Sequence, residues 1–178
     1  MKKILLIIIL ILMIFQMVVL AIAIDIGSAA IDRAESTGYG NTYIDKNNTA
    51  NETGKITSVE MWFDTTYGNA TGVEVATFYV VSENVLSTRD TESIGNVTAG
   101  SKQTFAVDLD VTVGDYLGMY FTYSSIEITP TGGGLWYLDA DQIPSTGKTY
   151  TLIANYTTSL YGTGYGQDNA AIIMGINF

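Results

Sequence analysis

The sequence predicts an all-β protein, an antiparallel two-sheet β-sandwich of jelly-roll-like topology preceded by an N-terminal hydrophobic helix or signal segment. Three observations lead to this prediction. Beyond residue 23 no segment has the apolar period of 3.6 residues that marks an amphipathic helix. Thr, Val, Ile and Tyr, which favour strands, are abundant, and glycine-rich turns separate short alternating runs. About ten short strands in one domain fit two packed sheets better than a closed barrel.

The first 23 residues have the composition of an export signal. Two lysines precede an apolar run that ends at the small-x-small triplet Ala21-Ile22-Ala23. We expect cleavage after Ala23. A retained anchor is the alternative, because twenty helical residues span about 30 Å, the thickness of the hydrocarbon layer. In either case residues 24–178 form one β-sandwich domain that is secreted or displayed on the cell surface, and only residues 4–23 contact a membrane.

The first half of this domain contains two prominent alternating segments. In residues 58–63 the apolar side chains of Val59, Met61 and Phe63 fall on one face. Residues 73–81 are apolar on both sides after Ala76, which predicts either a central strand covered on both faces or a β-bulge. Shorter strands are predicted at residues 42–45 and 85–89.

In the second half, residues 105–113 alternate most clearly, with apolar side chains at the odd-numbered positions. Residues 116–123 follow the turn at Gly114-Asp115 and have a tyrosine-rich outer face, so we expect these two strands to form a hairpin. Further strands are predicted at residues 135–138, 150–155 and 171–178.

Composition excludes several functions. Without Lys2 and Lys3 the chain has a net charge of −12, which repels phosphate backbones and argues against nucleic acid as a partner. There is no Cys and no His, so disulfides, zinc-thiolate sites, thiol nucleophiles and Ser-His-Asp triads are excluded. Two carboxylates alone can hydrolyse glycosides, but no spacing in the sequence identifies such a pair. We therefore expect a protein that is not an enzyme, with no catalytic residues.

Aromatic side chains are the candidate ligand-binding residues. Trp62 lies opposite the apolar face of its strand, where a large ring must be covered or used. Together with other rings it can form a flat platform on which sugar rings stack. The platform candidates are Trp62, Tyr116, Tyr120, Trp136 and Tyr137.

Two kinds of polar site are also candidates. Asp139 and Asp141 can supply oxygen ligands to Ca²⁺, the one cofactor considered, although the spacing of an EF-hand is missing. Asp108 and Asp110 lie on the polar face of their strand and are expected to be solvated. Asn-x-Ser/Thr sequons, each a potential glycosylation site, occur at Asn47, Asn51, Asn69, Asn96 and Asn155.

Several phrases carry a resemblance to a known type of domain. They are residues 24–33, Gly54-Lys55-Ile56-Thr57-Ser58-Val59-Glu60-Met61-Trp62, residues 99–105, Val113-Gly114-Asp115-Tyr116-Leu117-Gly118-Met119-Tyr120-Phe121 and Leu135-Trp136-Tyr137. Together they resemble a jelly-roll-like β-sandwich domain of uncharacterised secreted and phage- or virus-borne surface and fibre proteins. The resemblance implies an extracellular interaction or structural module and transfers no catalytic residue.

We therefore expect a non-enzymatic extracellular or surface protein, a self-assembling homo-oligomer or polymer such as an appendage, sheath or virion subunit. In this hypothesis Ile24, Ile26 and Ile31 pair with an exposed sheet edge of a neighbouring copy. One alternative is a carbohydrate-binding module for adhesion to glycans. Another is a pilin-like filament subunit anchored by its retained N-terminal segment, although no prepilin cleavage site follows the initial lysines.

Overall fold

A computed structural model describes residues 22–166, and every regular element in that range is a β-strand. The strands are β1 (Ala23–Ser28), β2 (Glu35–Thr37), β3 (Thr42–Asp45), β4 (Gly54–Trp62), β5 (Ala70–Ser82), β6 (Val85–Val97), β7 (Lys102–Val111), β8 (Tyr116–Tyr120), β9 (Ile126–Thr129), β10 (Leu135–Leu138), β11 (Lys148–Thr149), β12 (Thr151–Ile153), β13 (Thr157–Thr158) and β14 (Leu160–Gly166). The all-β prediction is confirmed. The predicted N-terminal helix and the predicted strand at residues 171–178 lie outside the described residues. Within the described range no helix is long and apolar enough to cross a membrane.

The strands form three antiparallel sheets. A four-stranded sheet has the order β1-β14-β4-β7, and a seven-stranded sheet has the order β11-β6-β5-β8-β3-β10-β12. A small third sheet has the order β13-β9-β2. The first and last described strands, β1 and β14, pair along six positions, so the two ends of the described chain lie side by side in one sheet.

The main hydrophobic core contains side chains from both large sheets. Residues of β4 and β7, including Ile56, Val59 and Leu109, pack with Val75 and Leu117 of the seven-stranded sheet. All five are fully buried, as alternation predicts for Val59, Leu109 and Leu117. A register shift between Ile56 and Ser58 brings Ile56 to the same face as Val59. The arrangement is compatible with a β-sandwich.

A second core lies against the seven-stranded sheet. It contains Ala76 and Phe78 of β5 together with Trp136 of β10, and Ile143 and Tyr150 from the chain between β10 and β12. The prediction that this strand is covered on both faces after Ala76 holds only as far as Phe78, because the residues from Tyr79 to Ser82 are exposed. The pairing of β5 with β6 also contains register shifts, so a bulge is present as well. The tyrosine-rich face of β8 packs against this second core as well.

The predicted hairpin of residues 105–113 and 116–123 is wrong. β7 pairs with β4 in the four-stranded sheet, whereas β8 pairs with β5 and β3 in the seven-stranded sheet. The turn at Gly114-Asp115 therefore crosses between sheets. Val113 lies beyond the end of β7 and is exposed, because the strand ends at Val111. Alternation locates a strand but does not identify its partner.

The strand register defines two ends of the domain. At one end Gly54 lies opposite both Val111 and Gly166, and Gly166 donates a hydrogen bond to the Ile22 carbonyl over 2.7 Å. We call this the terminal end. At the other end of β4 lie the loops that follow β2, β4 and β8, and we call it the tyrosine end for the residues described next.

Candidate ligand-binding surface

Three tyrosines form an exposed cluster at the tyrosine end. Tyr39 lies between β2 and β3, Tyr67 lies between β4 and β5, and Tyr123 follows β8. Their exposed fractions are 49%, 49% and 44%. The ring centroids are 5.4 Å apart for Tyr39 and Tyr123, 6.1 Å for Tyr39 and Tyr67, and 6.3 Å for Tyr67 and Tyr123. Three loops that are distant in sequence thus build one aromatic surface, the tyrosine cluster.

Turn chemistry holds Tyr67 in place. The Asp64 carboxylate accepts a hydrogen bond from the Thr66 backbone N–H over 2.7 Å, and the Gly68 N–H donates to the Thr65 carbonyl over 3.1 Å. Gly68 has a φ of +80°, a conformation that glycine adopts without steric cost. The loop is therefore a defined turn, which fixes the backbone position from which the Tyr67 side chain projects.

Ser124 joins the loops of Tyr67 and Tyr123. Its hydroxyl donates to the Gly68 carbonyl over 2.7 Å, and its side chain is completely buried. Its φ of +106° is a costly conformation for a residue with a Cβ. The surrounding contacts hold this geometry, including the bridge between Thr71 and Tyr123. Residues in such strained conformations cluster at functional sites, which include ligand clamps.

A carboxyl pair lies at the same end of the domain. Glu127 on β9 is buried and accepts a hydrogen bond from the Arg33 backbone N–H over 3.1 Å. Burial raises the pKa of Glu127, and the nearby Asp64 carboxylate raises it further. Hydrogen bonds, first from Thr66, lower the pKa of Asp64. The Glu127 carboxyl thus keeps its proton more readily than the Asp64 carboxyl.

The arrangement is suited to binding. Tyrosine rings offer apolar faces of fixed orientation, and their hydroxyls donate and accept hydrogen bonds. The exposed residues Thr65, Thr66 and Asn69 adjoin Tyr67 and add polar groups at the rim. Exposed aromatic rings grouped together with polar groups at their rim are typical of interaction surfaces.

The structure does not join the predicted aromatic platform into one exposed surface. Trp136 is 2% exposed, donates from Nε1 to the Asn84 Oδ1 over 2.8 Å and packs edge-on against Tyr116 at 4.9 Å. Tyr120 also packs against the second core, and Tyr137 packs against the main core. Trp62 lies half-buried in the four-stranded sheet, away from the others.

The predicted acidic sites are exposed. Asp108 and Asp110 both pair with the Lys55 ammonium, at 2.8 and 2.9 Å. Asp141 accepts a hydrogen bond from the Ile143 N–H over 3.0 Å, and Asp139 is exposed near the end of β10. Between residues 22 and 166 no three acidic side chains come together in an arrangement that could hold a metal ion.

Of the sequons, four have exposed asparagines, namely Asn51, Asn69, Asn96 and Asn155. Asn47 differs, because its amide nitrogen donates to the Asp45 carboxylate over 2.7 Å and to the Tyr156 carbonyl over 3.0 Å. A glycan on this nitrogen leaves a single N–H, so at least one of the two hydrogen bonds would be lost.

The proposed assembly strand is occupied within the chain. Ile24 and Ile26 lie in the main core as part of β1, and Ile31 follows it and is exposed. The outward backbone groups of β1 are also occupied: the Asp25 N–H donates to the Asn51 side chain over 3.1 Å, and the Gly27 N–H donates to the Asn48 carbonyl over 2.8 Å. This edge is therefore not open to a neighbouring copy.

The sequence contains a signal for the tyrosine cluster that alternation does not detect. Each of its tyrosines stands beside turn residues: Tyr39 between two glycines, Tyr67 before Gly68, and Tyr123 before Ser124-Ser125. Tyrosines in turns lie on loops, where exposed rings are available to ligands.

No protein-family model matches the sequence, and no curated protein matches it either.

Proposed function

We propose that this protein acts outside the cytoplasm as a non-enzymatic binding module, and that its tyrosine cluster binds a glycan on a surface or particle. The domain that carries the cluster is proposed to be a jelly roll. In that fold eight strands, lettered B to I, form sheets of order B-I-D-G and C-H-E-F. The order β1-β14-β4-β7 corresponds to the first sheet, and β3-β8-β5-β6 corresponds to the second. The chain between β8 and β14 is then an insertion between H and I.

The observation that carries the proposal is the mutual contact of three rings that remain almost half exposed. In a soluble domain large aromatic groups are normally buried, and a patch of exposed rings marks an interaction site. The loops that supply them meet at one end of the proposed jelly roll. Loops on a rigid scaffold are where binding residues concentrate.

The chemistry of the surface favours a neutral sugar as the ligand. Pyranose rings present C–H groups on their faces, which pack on aromatic rings, and hydroxyls at their edges, which pair with hydroxyl and amide groups such as those of Thr66 and Asn69. The net charge of −12 beyond the first 23 residues disfavours anionic ligands.

The self-assembly alternative has less support among the described residues. The β1 edge is occupied by residues 48–51. At the opposite edge of the same sheet, two N–H groups of β7 donate to carboxylates of β6: Asp108 to Glu92 over 2.7 Å and Asp110 to Asp90 over 2.8 Å. Edges protected in this way resist pairing with another chain.

A glycan array tests the proposal. We expect the wild-type protein to bind a subset of neutral glycans, and Tyr67→Ala to weaken binding about tenfold, which corresponds to about 1.4 kcal/mol. Tyr165→Ala is the matched control, since Tyr165 is 50% exposed but lies at the terminal end. Equal binding by wild type and Tyr67→Ala, or equal losses in both variants, would contradict the proposal.

A further inference from the structure

The junction between the apolar N-terminal run and the domain contains no linker. The run of apolar residues ends at Ala23, and β1 begins at Ala23. The Ile22 carbonyl accepts a hydrogen bond from Gly166 over 2.7 Å, and the Ala23 carbonyl accepts one from the Asn51 side chain over 3.1 Å. Ala23 of the small-x-small triplet therefore belongs to the four-stranded sheet, and Ile22 is joined to the same sheet by a backbone hydrogen bond.

This arrangement disfavours cleavage after Ala23 in the folded protein. The bond after Ala23 lies inside a strand whose first two residues, Ala23 and Ile24, pair with Tyr165 and Gly164. A peptidase needs its substrate as a free extended chain, so the folded sheet protects this bond once the domain has folded, and only cleavage before folding could occur here. Cleavage would also remove the Ile22 carbonyl, which is the acceptor for the Gly166 N–H.

The terminal end, where the run joins, exposes apolar side chains. Ile22 and Val113 are both 58% exposed, and Val113 lies in the turn after β7. Val81 is 55% exposed near the tip of the β5–β6 hairpin, and Tyr165 is half exposed beside Ala23. The hairpin tip belongs to this end because Phe78 lies opposite Tyr116, the first residue after the same turn.

We infer that the apolar N-terminal segment is retained and that the terminal end rests on a lipid bilayer, with Ile22, Val113, Val81 and Tyr165 in the interfacial layer. The occupant of this surface is lipid because an apolar run of bilayer-spanning length joins the domain at this end with no residues between. Aliphatic groups and tyrosines are favoured at that depth. Carboxylates of Glu52 and Glu83 near the same end favour a zwitterionic lipid over an anionic one.

This orientation directs the tyrosine cluster outward. β4 runs from the terminal end at Gly54 to Trp62 near the Tyr67 loop, and its nine residues cover about 30 Å at 3.3 Å per residue. The cluster therefore lies about that far from the lipid surface, where it can reach a ligand on another surface.

The absence of cysteine permits a clean test. The full chain is prepared with a single cysteine at position 113, 81 or 66 (V113C, V81C and T66C), each labelled with an environment-sensitive fluorophore and reconstituted in phosphatidylcholine vesicles. The native residues at these positions are exposed, so labelling preserves the fold. Some of the lipids carry a nitroxide on the acyl chain, which quenches only nearby fluorophores.

We expect the labels at 113 and 81 to shift to shorter emission wavelength and to be quenched, and the label at 66 to show neither effect. The mass of the native protein should include residues 1–23. Native protein that begins at Ile24 would overturn the inference, as would fluorophores at 113 and 81 that stay water-exposed in membrane-bound protein. Burial of these labels against a second copy, seen as dimerisation without nitroxide quenching, would overturn it as well.

Discussion

Replacement of Arg89 or Asp115 tests how strongly one buried ion pair joins the two large sheets. Asp115 lies in the turn that crosses from β7 to β8, and its side chain is 4% exposed. It accepts a hydrogen bond from Arg89 Nε, a second from Arg89 Nη2 over 3.0 Å, and a third from the Thr112 N–H over 2.8 Å. The Asp115 carboxylate raises the pKa of Arg89, so the guanidinium stays charged.

Arg89 and Asp115 are buried to different extents, and this difference sets how much stability each replacement is expected to cost. The Arg89 side chain is 31% exposed, so it regains water when Asp115 becomes Asn, and we expect a loss of about 2 kcal/mol in the free energy of unfolding. Arg89→Met instead leaves a buried carboxylate with only the Thr112 N–H, and an unpaired buried charge costs about 3–5 kcal/mol. The arginine variant is therefore the less stable of the two.

Urea unfolding measures both losses from the midpoint at unchanged m-value. Lys102→Met is the matched control, because its ammonium pairs with Glu60 at 3.0 Å on the surface and such pairs contribute at most about 1 kcal/mol. If Arg89→Met costs no more than Lys102→Met, the pair does not join the sheets and the reasoning from burial is wrong.

Two further predictions concern the interior. Burial raises the pKa of Asp45, whose Oδ2 has no hydrogen-bond partner. The folded state then holds this proton to higher pH than the unfolded state, so stability falls as pH rises above about 4. Asp45→Asn should gain stability over wild type at pH 7 and gain less at pH 4 in thermal melts, and a gain independent of pH would contradict this. Gly118→Ala should cost about 1–3 kcal/mol in urea unfolding, because a Cβ would lie 2.6 Å from the Phe78 ring and 2.8 Å from the Tyr43 carbonyl. Gly38→Ala, with no atom within 4 Å, is its control, and equal effects would refute the packing argument.

Strand positions were predictable where alternation or a continuous apolar run reports burial. β3 and β10 have the predicted bounds, and the second covered face of β5 was visible in its sequence. β14 was not predicted, because Gly162, Gly164 and Gly166 resemble a turn. Its glycines are needed by packing instead: a Cβ on Gly162 would lie 2.8 Å from Ile26.

The partners of strands and the exposure of rings depend on the tertiary fold. Alternation places Tyr116 on an outer face, but Ile143 and Tyr150 from the chain between β10 and β12 pack in the same cluster as Tyr116 and Trp136. Residues 139–150, which form this chain, have no strand pattern in the sequence apart from their end, so their packing role was not predictable. Tyr39, Tyr67 and Tyr123 are distant in sequence and meet only because three loops share one end of the domain. Their position beside turn residues was the available signal.

Nuclear magnetic resonance of protein with isotope-labelled tyrosine rings, titrated with a glycan that the array selects, locates the binding surface directly. Assigned signals among the 12 tyrosines should shift for residues 39, 67 and 123 and stay unchanged for Tyr79 and Tyr165. Shifts confined to rings outside those three loops would show that the sugar binds elsewhere and that the proposed surface is wrong.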